Sequence, residues 1–125
     1  MTEEHHFVFK IWYYLTKFRH YPIYSGNLLS RDTYILTNKK KTVLYTGVTS
    51  NLYARVHDHK NGQGSVFTKK YKCTILLYYE FSGTMEEAIH REKRIKKYSK
   101  AWKENLINAV NPLWDDLFSQ VEEMQ

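Results

Sequence analysis

Two β-prone runs joined by one short polar turn set the frame for this chain. Residues 33–37 read Thr-Tyr-Ile-Leu-Thr, and residues 43–49 read Val-Leu-Tyr-Thr-Gly-Val-Thr. Both are rich in the β-branched and aromatic side chains that suit a pleated surface. Residues 38–41, Asn-Lys-Lys-Lys, form a polar turn between them. Runs this close in sequence pair as a hairpin. A third β-prone run covers residues 75–81 and adds a third strand.

The helices announce themselves by their caps. Ser50 or Asn51 can cap a helix running to about residue 60. Asn61-Gly62-Gln63-Gly64 then forms a loop. Thr84-Met85-Glu86-Glu87 is a capping box, opening a helix to about residue 98. Ser99 can cap a further helix ending near residue 108, and Asn111-Pro112 stops it. The order β-β-α-β-α-α predicts the α+β class: a small three-stranded antiparallel sheet flanked by helices.

Size and charge narrow the class of protein. A length of 125 residues favours one compact domain, and 42% hydrophobic content supplies its core. Net charge is +6 and the isoelectric point is near 9.3, a balance that suits nucleic acid or an anionic surface. Basic residues cluster. Lys39, Lys40, Lys41, Arg55, Lys60, Lys69, Lys70 and Lys72 face one acid, Asp58, between residues 38 and 72. A second basic block spans residues 90–104, and the end of the chain from Asp115 is acidic. The single cysteine, Cys73, excludes an internal disulfide framework and a multi-cysteine zinc site. No apolar run is long enough to span a membrane, and the N-terminus does not read as a secretory signal. The expected location is the cytoplasm. Residues 1–32 form an aromatic-rich N-terminal extension without clear period, residues 33–117 the domain, and residues 118–125 an acidic tail.

Several residues stand where propensity alone does not put them. On the helix opened by Thr84, the apolar residues Met85, Ala88, Ile89 and Ile95 follow helical spacing. At about 100° per residue Glu92 falls within that stripe. Arg91, Lys93, Arg94, Lys96 and Lys97 around it can all reach water. A carboxylate on a buried stripe is costly unless paired, hydrogen-bonded or bound to metal. An ion pair with a core arginine or lysine and ligation of a divalent cation both satisfy it. On the first helix, Arg55 and His59 lie four apart and share a face. They suit a phosphate clamp and a proton-handling imidazole, or equally a half-buried stem and a helix-end cap. Lys60, Lys69, Lys70 and Lys72 are candidate phosphate contacts, or solvated lysines. Tyr34 and Tyr45 lie in the two hairpin strands, with Gly47 on the same side as Tyr45, leaving space beside its ring or marking close approach by another group.

Together these residues resemble the GIY-YIG nuclease superfamily. Within it they are most similar to the small single-domain bacterial branch, UPF0213-like, that is related to the N-terminal nuclease domain of the bacterial repair excinuclease. Tyr45-Thr46-Gly47 matches the second half of the family's motif, and Asp32-Thr33-Tyr34 aligns with the first. Arg55 with His59, the Phe67-Thr68-Lys69-Lys70-Tyr71 segment, Glu92, and Asn111-Pro112-Leu113-Trp114-Asp115-Asp116-Leu117 follow in family order. The likeness runs from about residue 33 to 117. Asp32 departs from it, standing where the family usually has glycine or another strand residue. So does the aromatic extension.

The resemblance implies in-line hydrolysis of a DNA phosphodiester by water, with RNA as the alternative polymer. One divalent ion, Mg²⁺ or Mn²⁺, would sit on Glu92. Tyr34 or Tyr45 would be the general base, assisted by nearby positive charge. Arg55 would clamp the phosphate, His59 would orient a tyrosine or the phosphate, and Asn111 would support the site by hydrogen bonding. With no separate specificity domain visible, the expected action is structure-selective and tied to repair or recombination. A module on the same fold that grips nucleic acid without cutting is the alternative. A third reading is an interaction protein using the aromatic N-terminus. The sequence leaves oligomeric state open.

Overall fold

A computed structural model describes residues 31–125. The aromatic extension lies outside the described residues up to position 30, and Asp32 is already the first residue of a strand. The chain runs β1 (Asp32–Thr37), β2 (Leu44–Thr49), α1 (Leu52–Lys60), α2 (Val66–Tyr71), β3 (Ile75–Phe81), α3 (Met85–Lys96), α4 (Lys100–Val110) and α5 (Phe118–Glu123). The three strands form one antiparallel sheet in the order β2-β1-β3, as the α+β reading anticipates. Two short helices, α2 and α5, add to the predicted order.

The hairpin forms because its turn satisfies itself. Asn38 Oδ1 accepts from the backbone N–H of Thr42 at 2.9 Å, and Lys41 N–H reaches Asn38 O at 2.9 Å. Lys41 holds a positive φ of 57° to make the bend. The helices start where side chains cap them. Asn51 accepts from Ala54 N–H, Ser65 from Thr68, Thr84 from Glu87 and Ser99 from Trp102.

The central strand β1 is buried along its whole length, because helices cover both faces of the sheet. On one face Tyr34, Leu36, Leu76 and Tyr79 pack with Leu52 and Val56 of α1 and Val121 of α5. On the other, Ile35, Leu77 and Tyr78 pack with Ile95 of α3 and Leu106 and Ile107 of α4. Tyr34 and Ile35 thus serve opposite cores by strand alternation alone. The last eight residues, read as an acidic tail, wind into α5 and bring Val121 to full burial.

Helix α3 turns the face its apolar residues suggest inward, except at Ile89. Ala88 and Ile95 are buried, while Ile89 is 37% exposed. Arg91 does not reach freely into water. Its Nε donates to the Glu80 carboxylate, its NH1 to the Tyr98 hydroxyl at 3.3 Å, and Tyr78 OH donates to Glu80 at 2.5 Å. The core ion pair of this protein is therefore Arg91–Glu80.

Candidate active site

β1, β2, α1 and α3 each contribute to one cluster. Tyr34 rises from the middle of β1 directly opposite Gly47 of β2. A Cβ on Gly47 would lie 2.5 Å from both Cζ and the hydroxyl oxygen of Tyr34. The glycine is therefore the space into which the tyrosine ring fits. It marks the close approach of Tyr34 from the neighbouring strand, the second of the two roles the sequence offers it. The Tyr45 ring centroid sits 6.3 Å from that of Tyr34 and 5.7 Å from that of His59. The rings of Tyr34 and His59 lie 5.8 Å apart.

His59, buried on the last turn of α1, is held at both ring nitrogens. Nε2 meets the Tyr34 hydroxyl at 3.0 Å, and Nδ1 meets Thr68 Oγ1 at 3.0 Å. Burial, reinforced by the charge of Arg55, pulls this imidazole down to about 4, so it is neutral near pH 7. Arg55 lies close enough for its charge to act on the Tyr34 hydroxyl. Its burial works against its charge, but the neighbouring Tyr34, Tyr45 and Asp58 push its pKa upward overall. Burial drives the Tyr34 phenol well above its usual range, and Tyr45 adds to this while Arg55 opposes it.

Glu92 lies close enough for its charge to act on Tyr34. Its side chain is 14% exposed and pairs with Lys96 at 3.3 Å, one turn along the helix. Lys96 is itself half exposed, so the core cation that sequence reasoning offered Glu92 is not its partner. Among the described residues no three His, Cys, Asp or Glu side chains gather into a ready-made metal cage. A lone carboxylate beside a phosphate site fits Mg²⁺, which keeps several waters and shares substrate oxygens with one or two carboxylates.

Asn111 stands apart from the tyrosines. Its amide donates to Leu77 O at 3.0 Å and Asp115 O at 2.8 Å, and its Oδ1 accepts from Asp115 N–H at 3.1 Å. It ties the turn after α4 to β3. Lys60 is also committed elsewhere: Nζ donates to Thr74 O at 2.7 Å and pairs with Asp116 at 2.5 Å. Lys69, Lys70 and Lys72 are exposed, with Lys70 lying over the Tyr71 ring.

A groove lined by Lys39, Lys40, Lys60, Lys69 and Lys72 reaches His59 and Thr68. Lys39 and Lys40 escaped sequence reasoning because a hairpin turn explains them fully. Phe67 stacks on Tyr45 at 5.8 Å and is 40% exposed. Its place in the family-like segment gave no hint of that contact.

Residues 32–105 match the family model of the GIY-YIG catalytic domain. A UPF0213 protein of Staphylococcus haemolyticus is 38% identical over 68 residues, which is 54% of this chain and 83% of its own length. A UPF0213 protein of Staphylococcus aureus is 42% identical over 64 residues, 51% of this chain and 78% of its own. The solution NMR structure of a UPF0213 protein from Bacillus halodurans is 26% identical and covers 70% of this chain and 93% of its own, with a TM-score of 0.46.

Proposed function

From the premise that this chain belongs to the GIY-YIG family, we propose that it is a divalent-metal-dependent endonuclease that hydrolyses DNA phosphodiester bonds. The observation carrying this reading is the convergence of Tyr34, Tyr45, Arg55, His59 and Glu92 from four separate elements. A fold needs a core; it does not need a cation, a neutral imidazole, two phenols and a carboxylate meeting at one place.

Bound at Glu92, Mg²⁺ or Mn²⁺ supplies Lewis-acid stabilisation of the charge that builds on the phosphate and leaving oxygens. Arg55 binds the scissile phosphate with a guanidinium that stays charged at any working pH. Tyr45, half-buried, is the phenol placed to meet the attacking water, whereas Tyr34 is 1% exposed. Tyr34 links Arg55 to His59, so charge at one is felt at the other. Lys69, Lys70 and Lys72, joined by Lys39 and Lys40 of the hairpin turn, hold the flanking backbone by charge. Asn111 supports the site at one remove, by fixing the chain end against β3. Family analogy favours structured DNA in repair or recombination as the substrate and the cytoplasm as the location. Among the described residues no helix is long and apolar enough to cross a membrane.

Incubation of plain, nicked and branched DNA with Mg²⁺ or Mn²⁺ tests the reading. The wild-type protein is expected to cut, and Glu92→Gln to lose at least about 100-fold in rate, the scale of removing one charge-stabilising group. Silence in both sinks the nuclease reading and leaves a module that binds without cutting, whereas equal cutting by both removes Glu92 as the metal ligand.

A further inference from the structure

The hydrogen bonds around His59 favour one placement of its ring proton. Thr68 Oγ1 lies 3.1 Å from Ser65 O, 3.1 Å from Ser65 Oγ and 3.0 Å from His59 Nδ1. Ser65 O only accepts, from Lys69 N–H at 3.0 Å and from the Thr68 hydroxyl. With its one proton there, the threonine oxygen accepts from its other two partners. Ser65 Oγ, which accepts from Thr68 N–H at 3.3 Å, keeps its own proton to donate. His59 Nδ1 then carries the hydrogen of its bond to Thr68.

The far side of the ring is consistent with that form. Arg55, whose charge acts on the Tyr34 hydroxyl, has donors and no acceptor to offer it. The Tyr34 hydroxyl proton then goes to His59 Nε2 at 3.0 Å. The opposite tautomer would leave the Tyr34 proton facing Arg55 inside a buried site, at the cost of an unmade hydrogen bond.

Glycine makes this arrangement possible. A Cβ on Gly64 would lie 2.1 Å from His59 Nδ1 and 2.5 Å from Thr68 Oγ1, so the His59–Thr68 pair occupies the space a side chain would need. The loop glycine is a packing requirement of this bond.

We propose that Thr68 is a positioning residue that locks His59 in the Nδ1–H form and so keeps Nε2 as the acceptor for the Tyr34 hydroxyl. Tyr34 is then held in one orientation, its proton toward Nε2 and its lone pairs toward Arg55. The catalytic consequence rests on the nuclease reading; the tautomer does not.

Nitrogen-15 chemical shifts of the His59 ring in the whole protein test it. The wild type is expected to show a protonated Nδ1 and a bare Nε2. Thr68→Val keeps the side-chain shape and the Ser65 cap and should mix or invert that pattern, as should Gly64→Ala. Thr68→Ser should restore it. A protonated Nε2 in the wild type overturns the proposal even if neither disruptive variant folds. So does an unchanged pattern in Thr68→Val. In cleavage assays Thr68→Val should lower kcat about tenfold or more with KM nearly unchanged, the scale for losing a group that orients a functional histidine. Wild-type rates in a variant with an altered tautomer would remove the positioning role. An inactive wild type with the expected shifts would instead count against the nuclease reading alone.

Discussion

Gly47 and Gly62 look alike in sequence and differ in what they permit. Gly47 lies under the Tyr34 ring, where a methyl group would meet two atoms at 2.5 Å. A rigid ring held by Arg55 and His59 cannot yield without leaving its bonds. Gly47→Ala is expected to lose about 1–3 kcal/mol of stability by overpacking and on the order of 100-fold in cleavage by displacing the phenol. Gly62 has open space around it but a φ of +74°. Gly62→Ala should cost about 1–2 kcal/mol for the left-handed backbone and leave cleavage intact wherever the protein stays folded. Urea unfolding beside a rate measurement separates the two. If Gly47→Ala cuts DNA at the wild-type rate, the strand glycine is not there to seat Tyr34.

Helix α3 carries two ion pairs of very different standing. Arg91–Glu80 is largely buried, with side-chain exposures of 16% and 6%, and two tyrosine hydroxyls complete it. Lys96–Glu92 is an i,i+4 pair whose lysine is 51% exposed. Arg91→Ala strands a buried carboxylate and is expected to cost about 3–5 kcal/mol. Lys96→Ala should cost no more than about 0.5 kcal/mol and leaves Glu92 at least as available to a cation. Urea midpoints at constant m-value read both changes; comparable losses would mean the burial assigned to this helix is wrong. Sequence reasoning placed Glu92 on the inner face but could not foresee the Arg91 pair. Its partner, Glu80, lies on β3, and a 100° periodicity says nothing about what another element offers. The same blindness put Ile89 on the inner stripe. Strands and capped helices were legible because their signals are local: β-branching, Asx and hydroxyl caps, and the Asn38 turn. Helix α2 was not, since six residues are too few to show a period. Its Ser65 cap gains its meaning from Thr68 and His59, which meet only after folding.

At the scale of the molecule, the two basic blocks do not act as one uniform face. Lysines at the β1–β2 turn, on α2 and at its C-cap line one groove beside His59; Lys60 lines the same groove, but its ammonium is paired toward the chain end. Its ammonium bridges Thr74 O and Asp116 and sits 5.0 Å over the Phe118 ring, so it fastens the segment that leads into α5. Charge counting along the sequence cannot make this distinction, because the acid that claims Lys60 lies 56 residues away. The salt dependence of DNA binding can. With Glu92→Gln as background to prevent cutting, the slope of log K against log salt should shrink in magnitude by about 0.9 for each lysine whose phosphate contact is removed. Lys39→Ala, Lys40→Ala, Lys69→Ala and Lys72→Ala are each expected to approach that change while unfolding like the parent. Lys60→Ala should do the reverse, lowering the urea midpoint with the salt slope unchanged. A slope that holds for all four of those lysines would place the nucleic acid on another face of the molecule.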